Sequence, residues 1–294
     1  MKRFILKLTG FLVLGFFILN GYGYLMLHSD ALSNTLSWKR ILAAVKKSKR
    51  SLPSGSSVII LGDSIGEQLF PRETVPSSLI SNGAVLAVGH YILANNAIKR
   101  NKNLKYIVLV SAPWVLGHQF EWELTYNSFM KPFYTFENLR YISKQLFEKI
   151  NKRKMTHWVI FPFVKTAPCF SDIDLTGTRK KRRDILSDTA IEYLKKLKNL
   201  CSENNIEFIV LSPPIREEWR RRTNHWEKMK IQVTQNGLDD NFREYFKRLI
   251  YLDDSCFRDH VHMRAGYIDV KENRASIIAR ILPQQVRVSL YPPK

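Results

Sequence analysis

Val58-Ile-Ile-Leu61 runs without a break into Gly62-Asp63-Ser64-Ile65-Gly66, and the reading of this join decides the fold. Four consecutive apolar residues, three of them β-branched, suit a strand buried on both faces. The glycines allow a sharp turn immediately after it. Comparable short apolar runs recur at Ala84–Val88, Tyr106–Val110, Ile206–Leu211 and Leu249–Leu252. Helical stretches separate them: residues 91–102, then 183–204, where Ile185, Leu186, Ile191, Leu194, Leu197 and Leu200 recur at helical spacing, and a closing helix over 266–281. Five buried strands separated by helices predict an α/β fold, a parallel five-stranded sheet with right-handed crossovers.

Around this body, composition narrows the choices. The 294 residues are 45% hydrophobic and 24% charged, which excludes a disordered tail, a collagen-like fibre and a disulfide-stapled miniprotein. Cys169, Cys201 and Cys256 have no CxxC spacing and write no zinc ribbon. The 46 Lys+Arg against 26 Asp+Glu give +20, a charge that draws lipid head groups, anionic surface polymers or nucleic acid. Lys2, Arg3 and Lys7 lead into Leu8–Leu27, a run with no charged residue. As a helix rising 1.5 Å per residue it can cross about 30 Å of hydrocarbon. A cleaved signal peptide and a retained anchor both fit; the length of the run and the lack of an A-x-A site favour the anchor.

The expected layout is then an anchor over 1–30, a basic juxtamembrane stalk over 31–56 and the α/β domain over 57–294. The short flank ahead of the span places that domain outside the cytoplasm. Lys39, Arg40, Lys46 and Lys47 would bring the stalk to anionic lipid, although a solvated linker helix fits as well. An aromatic-rich insertion at about 114–178 (Trp114, Phe120, Trp122, Tyr126, Phe129, Phe133, Tyr134, Phe136) makes either its own small core or a ligand wall. The basic runs at 179–183 and 220–222 read as solvated faces, so no nucleic-acid partner is expected.

In open parallel sheets ligands bind beyond the carboxyl ends of the strands, which is where Ser64 falls. Gly62–Gly66 also satisfies G-x-S-x-G, the nucleophile elbow of α/β-hydrolases. Near the other end of the chain, after the fifth strand, stand Asp253, Asp254, Asp259, His260 and His262. Asp259 and His262 are three apart, a spacing that lets the carboxylate hold one imidazole nitrogen while the other faces a serine hydroxyl. The alternative is a metal site built from the same five residues.

Taken together, G-D-S after the first strand and D-x-x-H before the last helix resemble the SGNH (GDSL-type) hydrolase superfamily over about residues 57–282. The resemblance implies a flavodoxin-like sheet and argues against the α/β-hydrolase reading, because there the serine lies well inside the chain. It casts Ser64 as nucleophile, His262 as base and Asp259 as its orienting carboxylate, with no cofactor and no metal. Gly89, in Val88-Gly89-His90, matches the second family block, whose N–H joins that of Ser64 in the oxyanion hole. The third block, G-x-N-D, falls on Ser111-Ala112-Pro113-Trp114 and places proline where the asparagine donor belongs; Asn95 and Asn96 are candidate replacements.

Such departures are similar to those of membrane-anchored acyltransferases of the teichoic acid D-alanylation and alginate acetylation type. The likeness implies a single-pass protein of the bacterial cell membrane that moves an acyl group, such as acetyl, onto an envelope polysaccharide. Its partners would be the acyl donor, the polymer acceptor and a multispanning membrane-bound O-acyltransferase. A GDSL-type esterase with the same triad, and an inactive protein that binds anionic glycans, are the alternatives.

Overall fold

The computed structural model describes residues 2–28, 36–53, 56–80, 86–117, 133, 137–152 and 185–291. Its centre is a parallel sheet of three strands, β1 (Val58–Gly62), β2 (Tyr106–Val110) and β3 (Glu207–Leu211), in the order β1-β2-β3. Register runs Val58↔Tyr106↔Glu207 through Gly62↔Val110↔Leu211, so all three strands end at one rim. Side chains alternate between the sheet's faces. Ile59, Leu61, Ile107, Leu109, Phe208 and Val210 enter one buried cluster, and Val58, Ile60, Val108, Val110, Ile209 and Leu211 enter the other.

Helices α1 (Lys2–His28), α2 (Leu36–Ser48), α3 (Ser64–Leu69), α4 (Ala87–Arg100), α5 (Pro113–Leu116), α6 (Lys144–Lys152) and α7 (Asp188–Glu203) follow in chain order. Beyond β3 come α8 (Thr223–Gln235), α9 (Asp239–Lys247), α10 (Ala265–Ile268), α11 (Lys271–Ile281) and α12 (Gln284–Leu290). Residues of α2, α4, α7, α8 and α9 fill the first cluster, whereas residues of α11 and α12 fill the second. The result is a sheet covered by helices on both faces, the arrangement its continuous apolar strands require.

Several expectations need correction. The parallel α/β core is present, but a five-stranded sheet is not formed among the described residues. Leu86 is non-helical and Ala87 already opens α4, so the apolar run Ala84–Val88 is no strand in its described part; a five-residue run fits the start of a helix equally well. The chain instead meets the edge of β1 earlier: Ser78 bridges Ile60 in parallel, with Leu79 N–H donating to Ile60 O at 2.8 Å. On the far side, β4 (Ile215–Arg216) pairs with β5 (Tyr251–Leu252) as a separate two-stranded ladder. Pro213 and Pro214 intervene between β3 and β4, and residues without an N–H cannot continue a ladder. The closing helix is divided at Asp269 and Val270 into α10 and α11, and α12 follows.

The stalk is also different from expectation. Helix α2 forms, but Ile41 and Ala44 are fully buried in the first cluster, and Val45 nearly so. Arg40 Nη1 lies 3.4 Å from Glu67 on α3, and Arg72 Nη1 donates to the carbonyl of Arg40 at 2.8 Å. Helix α2 is therefore part of the folded domain and touches the helix that carries Ser64.

Helix α1 spans 27 residues, and Phe4, Leu6, Phe11 and Leu12 on it are 64–78% exposed. Among the described residues no helix is long and apolar enough to cross a membrane. The side chains of Asn20 and of residues 22–28, which the anchor expectation also needs, lie outside the described set. So do most aromatics of the expected insertion (Phe120, Trp122, Tyr126, Phe129, Tyr134, Phe136) and Cys169. Of the described ones, Phe133 is fully buried and Trp114 packs on Trp219 with ring centroids 5.1 Å apart.

One glycine is dictated by this sheet. A Cβ on Gly62 would stand 2.5 Å from the carbonyl oxygen of Val110, a backbone atom that cannot move without breaking β2. Gly62→Ala is expected to destabilise the domain by about 1–3 kcal/mol, the usual cost of forced overpacking, read as a lower denaturation midpoint.

Candidate active site

Beyond the carboxyl end of β1 the chain turns on Asp63. Its side chain is buried and caps α3: Oδ1 accepts the N–H of Ile65 at 2.9 Å and of Gly66 at 3.3 Å. Burial pushes this carboxyl up, against the pull of those same N–H groups. Asp63 thus starts the helix, and Ser64, its first residue, projects from the rim of the sheet. A helix-capping residue type directly after an apolar run is the sequence signal for this role.

The opposite half of the site is a tight hairpin. Phe257 and Met263 face each other as an antiparallel bridge, closed on either side by Arg258 N–H to His262 O (2.9 Å) and Arg264 N–H to Cys256 O (2.8 Å). Asp259 shapes the tip. Its Oδ1 accepts the backbone N–H of Val261 at 2.8 Å and of His262 at 2.7 Å, a local turn that aspartate forms readily. Its Oδ2 lies 3.0 Å from His262 Nδ1. One carboxylate therefore both folds the loop and holds the ring, which is why the two residues stand three apart.

These halves meet. Ser64 Oγ lies 3.0 Å from His262 Nε2, across 198 positions of sequence. With Nδ1–H directed to Asp259, Nε2 is left to accept the serine proton; the tautomer is assigned from this network. Burial alone would raise the Asp259 carboxyl. The N–H groups of His262 and Val261, together with the imidazole, outweigh it and hold Asp259 at about 2. Arg258 Nε sits 3.3 Å from the same carboxylate, but Arg258 is 61% exposed and the pair is a weak one. Asp259 is a carboxylate at any pH where the site could work.

The oxyanion pocket departs from expectation. Gly89 lies in the first turn of α4, and its N–H donates to the carbonyl of Leu86 at 2.8 Å. An amide committed to its own helix turn is not a vacant donor. Pro113 opens α5 and has no N–H to offer. Asn96 donates to Ser48 on α2 at 3.3 Å, and Asn95 is buried in mid-helix near Tyr141, so neither replaces the missing asparagine. The N–H of Ser64 remains: at the first position of a helix it has no intrahelical partner, and among the described residues no acceptor takes it.

Of the five residues of the metal alternative only Asp259 and His262 stand together, and the other three turn elsewhere. Asp253 accepts the N–H of Ser255, Asp254 forms a two-point ion pair with Arg216, and His260 is exposed. Among the described residues no group of three or more His, Cys, Asp or Glu could hold a metal ion. Gln68 was not foreseen: its carboxamide joins α3 to the hairpin through backbone groups, a contact no side-chain pattern advertises. No protein-family model, curated protein or solved structure matches this chain, so its functional reading rests on the joining of Ser64, His262 and Asp259.

Proposed function

We propose that the chain is a serine-dependent acyltransferase of SGNH type, held at a bacterial membrane with its domain outside the cytoplasm, that acylates an envelope polymer. The observation that carries the reading is the 3.0 Å contact between Ser64 Oγ and His262 Nε2 with Asp259 behind the ring. Ser64 Oγ attacks the carbonyl carbon of an acyl donor as its proton passes to Nε2. Asp259 stabilises the imidazolium, and the Ser64 N–H donates to the developing oxyanion. The leaving group takes the proton from Nε2 and departs, leaving acyl-Ser64. A polymer hydroxyl then gives its proton to Nε2 and attacks the acyl carbon, and the proton returns to Oγ as Ser64 is released.

Membrane attachment is supported by the exposed apolar side chains of α1, and an anionic acceptor by the +20 charge. A multispanning O-acyltransferase is the partner this reading calls for as the source of the acyl group. The test is partition of the acyl-enzyme. With an activated acetyl ester as donor, an anionic polysaccharide acceptor is expected to accelerate turnover and to carry the label. Equal acetate release with and without polymer would show an esterase instead, and a wild-type protein inert to both donor and fluorophosphonate would overturn the serine reading.

A further inference from the structure

The contact between Ser64 and His262 has a twin one helical turn away. Gln68 stands four residues after Ser64 on α3, and positions i and i+4 share one helix face. Met263 is the residue next to His262. Gln68 Nε2 donates to the carbonyl of Met263 at 2.9 Å, and Gln68 Oε1 accepts the N–H of Met263 at 3.1 Å. The hairpin explains why Met263 has both groups to give. Arg258 N–H to His262 O and Arg264 N–H to Cys256 O flank the Phe257–Met263 pair, which makes it the non-hydrogen-bonded kind. In such a pair each residue's own N–H and C=O point away from its partner, as on the open edge of a ladder. Met263 is fully buried, so water cannot satisfy that edge. The primary carboxamide of Gln68 presents a donor and an acceptor side by side, as an adjoining strand would, and satisfies both groups.

We propose that Gln68 is the positioning residue that sets the catalytic imidazole over the serine; this rests on the serine reading given above. The main chain of Met263 is fixed by two directional bonds to the helix that carries Ser64. Its direct neighbour His262 is thereby held at one depth and one lateral position relative to Oγ. The bonds between Asp259 and His262 orient the ring within the hairpin, but they do not locate the hairpin relative to α3. Glu67 on the same helix faces Arg40 and Arg72 instead, so it does not share this task. Gln68 touches no reacting atom and acts only through Met263.

The test uses the full chain, a fluorophosphonate probe and two variants. Gln68→Ala removes both bonds and is expected to slow labelling of Ser64 by about tenfold to a hundredfold, the scale of a misplaced catalytic group. Gln68→Glu is the discriminating variant. As a carboxylate it still accepts the Met263 N–H but faces the Met263 carbonyl without a proton. As a carboxylic acid it reproduces both bonds. Its labelling rate, divided by that of wild type at the same pH, is therefore expected to rise as the pH falls, which a merely structural role would not produce. A Gln68→Ala protein labelled at the wild-type rate, or a flat Gln68→Glu ratio, overturns the positioning role while leaving the serine reading intact.

A wild-type chain that resists the probe would remove the serine reading, and positioning is then read from the His262 ring. Its Nε2 nitrogen resonance is expected to move in Ser64→Ala, and Gln68→Ala must move it in the same direction. An unmoved resonance in Gln68→Ala overturns the proposal by that route too.

Discussion

Ser64→Ala and His262→Ala, each made alone, are expected to lower acyl turnover by about 10⁴-fold to 10⁶-fold, and making both together should cost little more. That non-additivity is the signature of groups acting as one unit. Without Oγ there is nothing for the imidazole to activate, and without the imidazole the hydroxyl keeps its proton. Ser64→Ala should also abolish fluorophosphonate labelling outright. Folding should be nearly untouched: both side chains are only half-buried, and α3 is capped by Asp63, not by Ser64. Turnover in Ser64→Ala within tenfold of wild type, with an unchanged melting temperature, would remove the serine from the mechanism.

Asp259→Asn is expected to cost about 10⁴-fold near neutral pH, with the loop intact. The asparagine oxygen can still accept the N–H groups of Val261 and His262, so the hairpin tip keeps its turn. Its NH₂ would then face Nδ1, forcing that nitrogen to accept and placing the ring proton on Nε2, where it blocks the serine. Wild type should show no inflection from Asp259 in its rate profile above about pH 3, because the carboxyl is held at about 2. The stability consequence has a definite sign. A carboxyl whose folded value lies below its ordinary 3.8 stabilises the fold above that pH and loses the contribution as the pH falls towards about 2. The gap in melting temperature between wild type and Asp259→Asn should therefore close as the pH falls below 4. A gap that widens in acid would contradict this assignment.

Ser64, His262 and Asp259 were legible from the chain alone because each half of the site is local. A capped helix after an apolar strand presents the serine, and a three-residue spacing lets a carboxylate hold an imidazole. The three central strands were legible for a similar reason: β1, β2 and β3 are unbroken apolar runs. The described part of the run Ala84–Val88 is the start of α4 and not a strand, because five apolar residues carry no period, and Ser78 and Leu79, in polar surroundings, pair with the edge of β1. The role expected of Gly89 falls with that strand, for it depended on a strand ending just before it. Among the described residues the last expected strand pairs with β4 and not with the central sheet, and Pro213 and Pro214, between β3 and β4, have no N–H with which to extend a ladder. Helix α2 was read from its lysines, although Ile41, Ala44 and Val45 at helical spacing already marked a face to be buried. Gln68 lay beyond sequence reasoning, since its partners are main-chain groups made available only by the hairpin's register.

The burial of α2 decides where the hydrophobic N-terminus can be trimmed away. A cut at Pro53 follows the obvious punctuation of the sequence, yet it would strip Ile41, Ala44 and Val45 from the interior and take Arg40 away from Glu67. The helix bearing the serine would lose its brace along with part of the hydrophobic filling. A truncation ahead of Leu36 keeps both, so a shortened version of the protein has its boundary there and not at the proline.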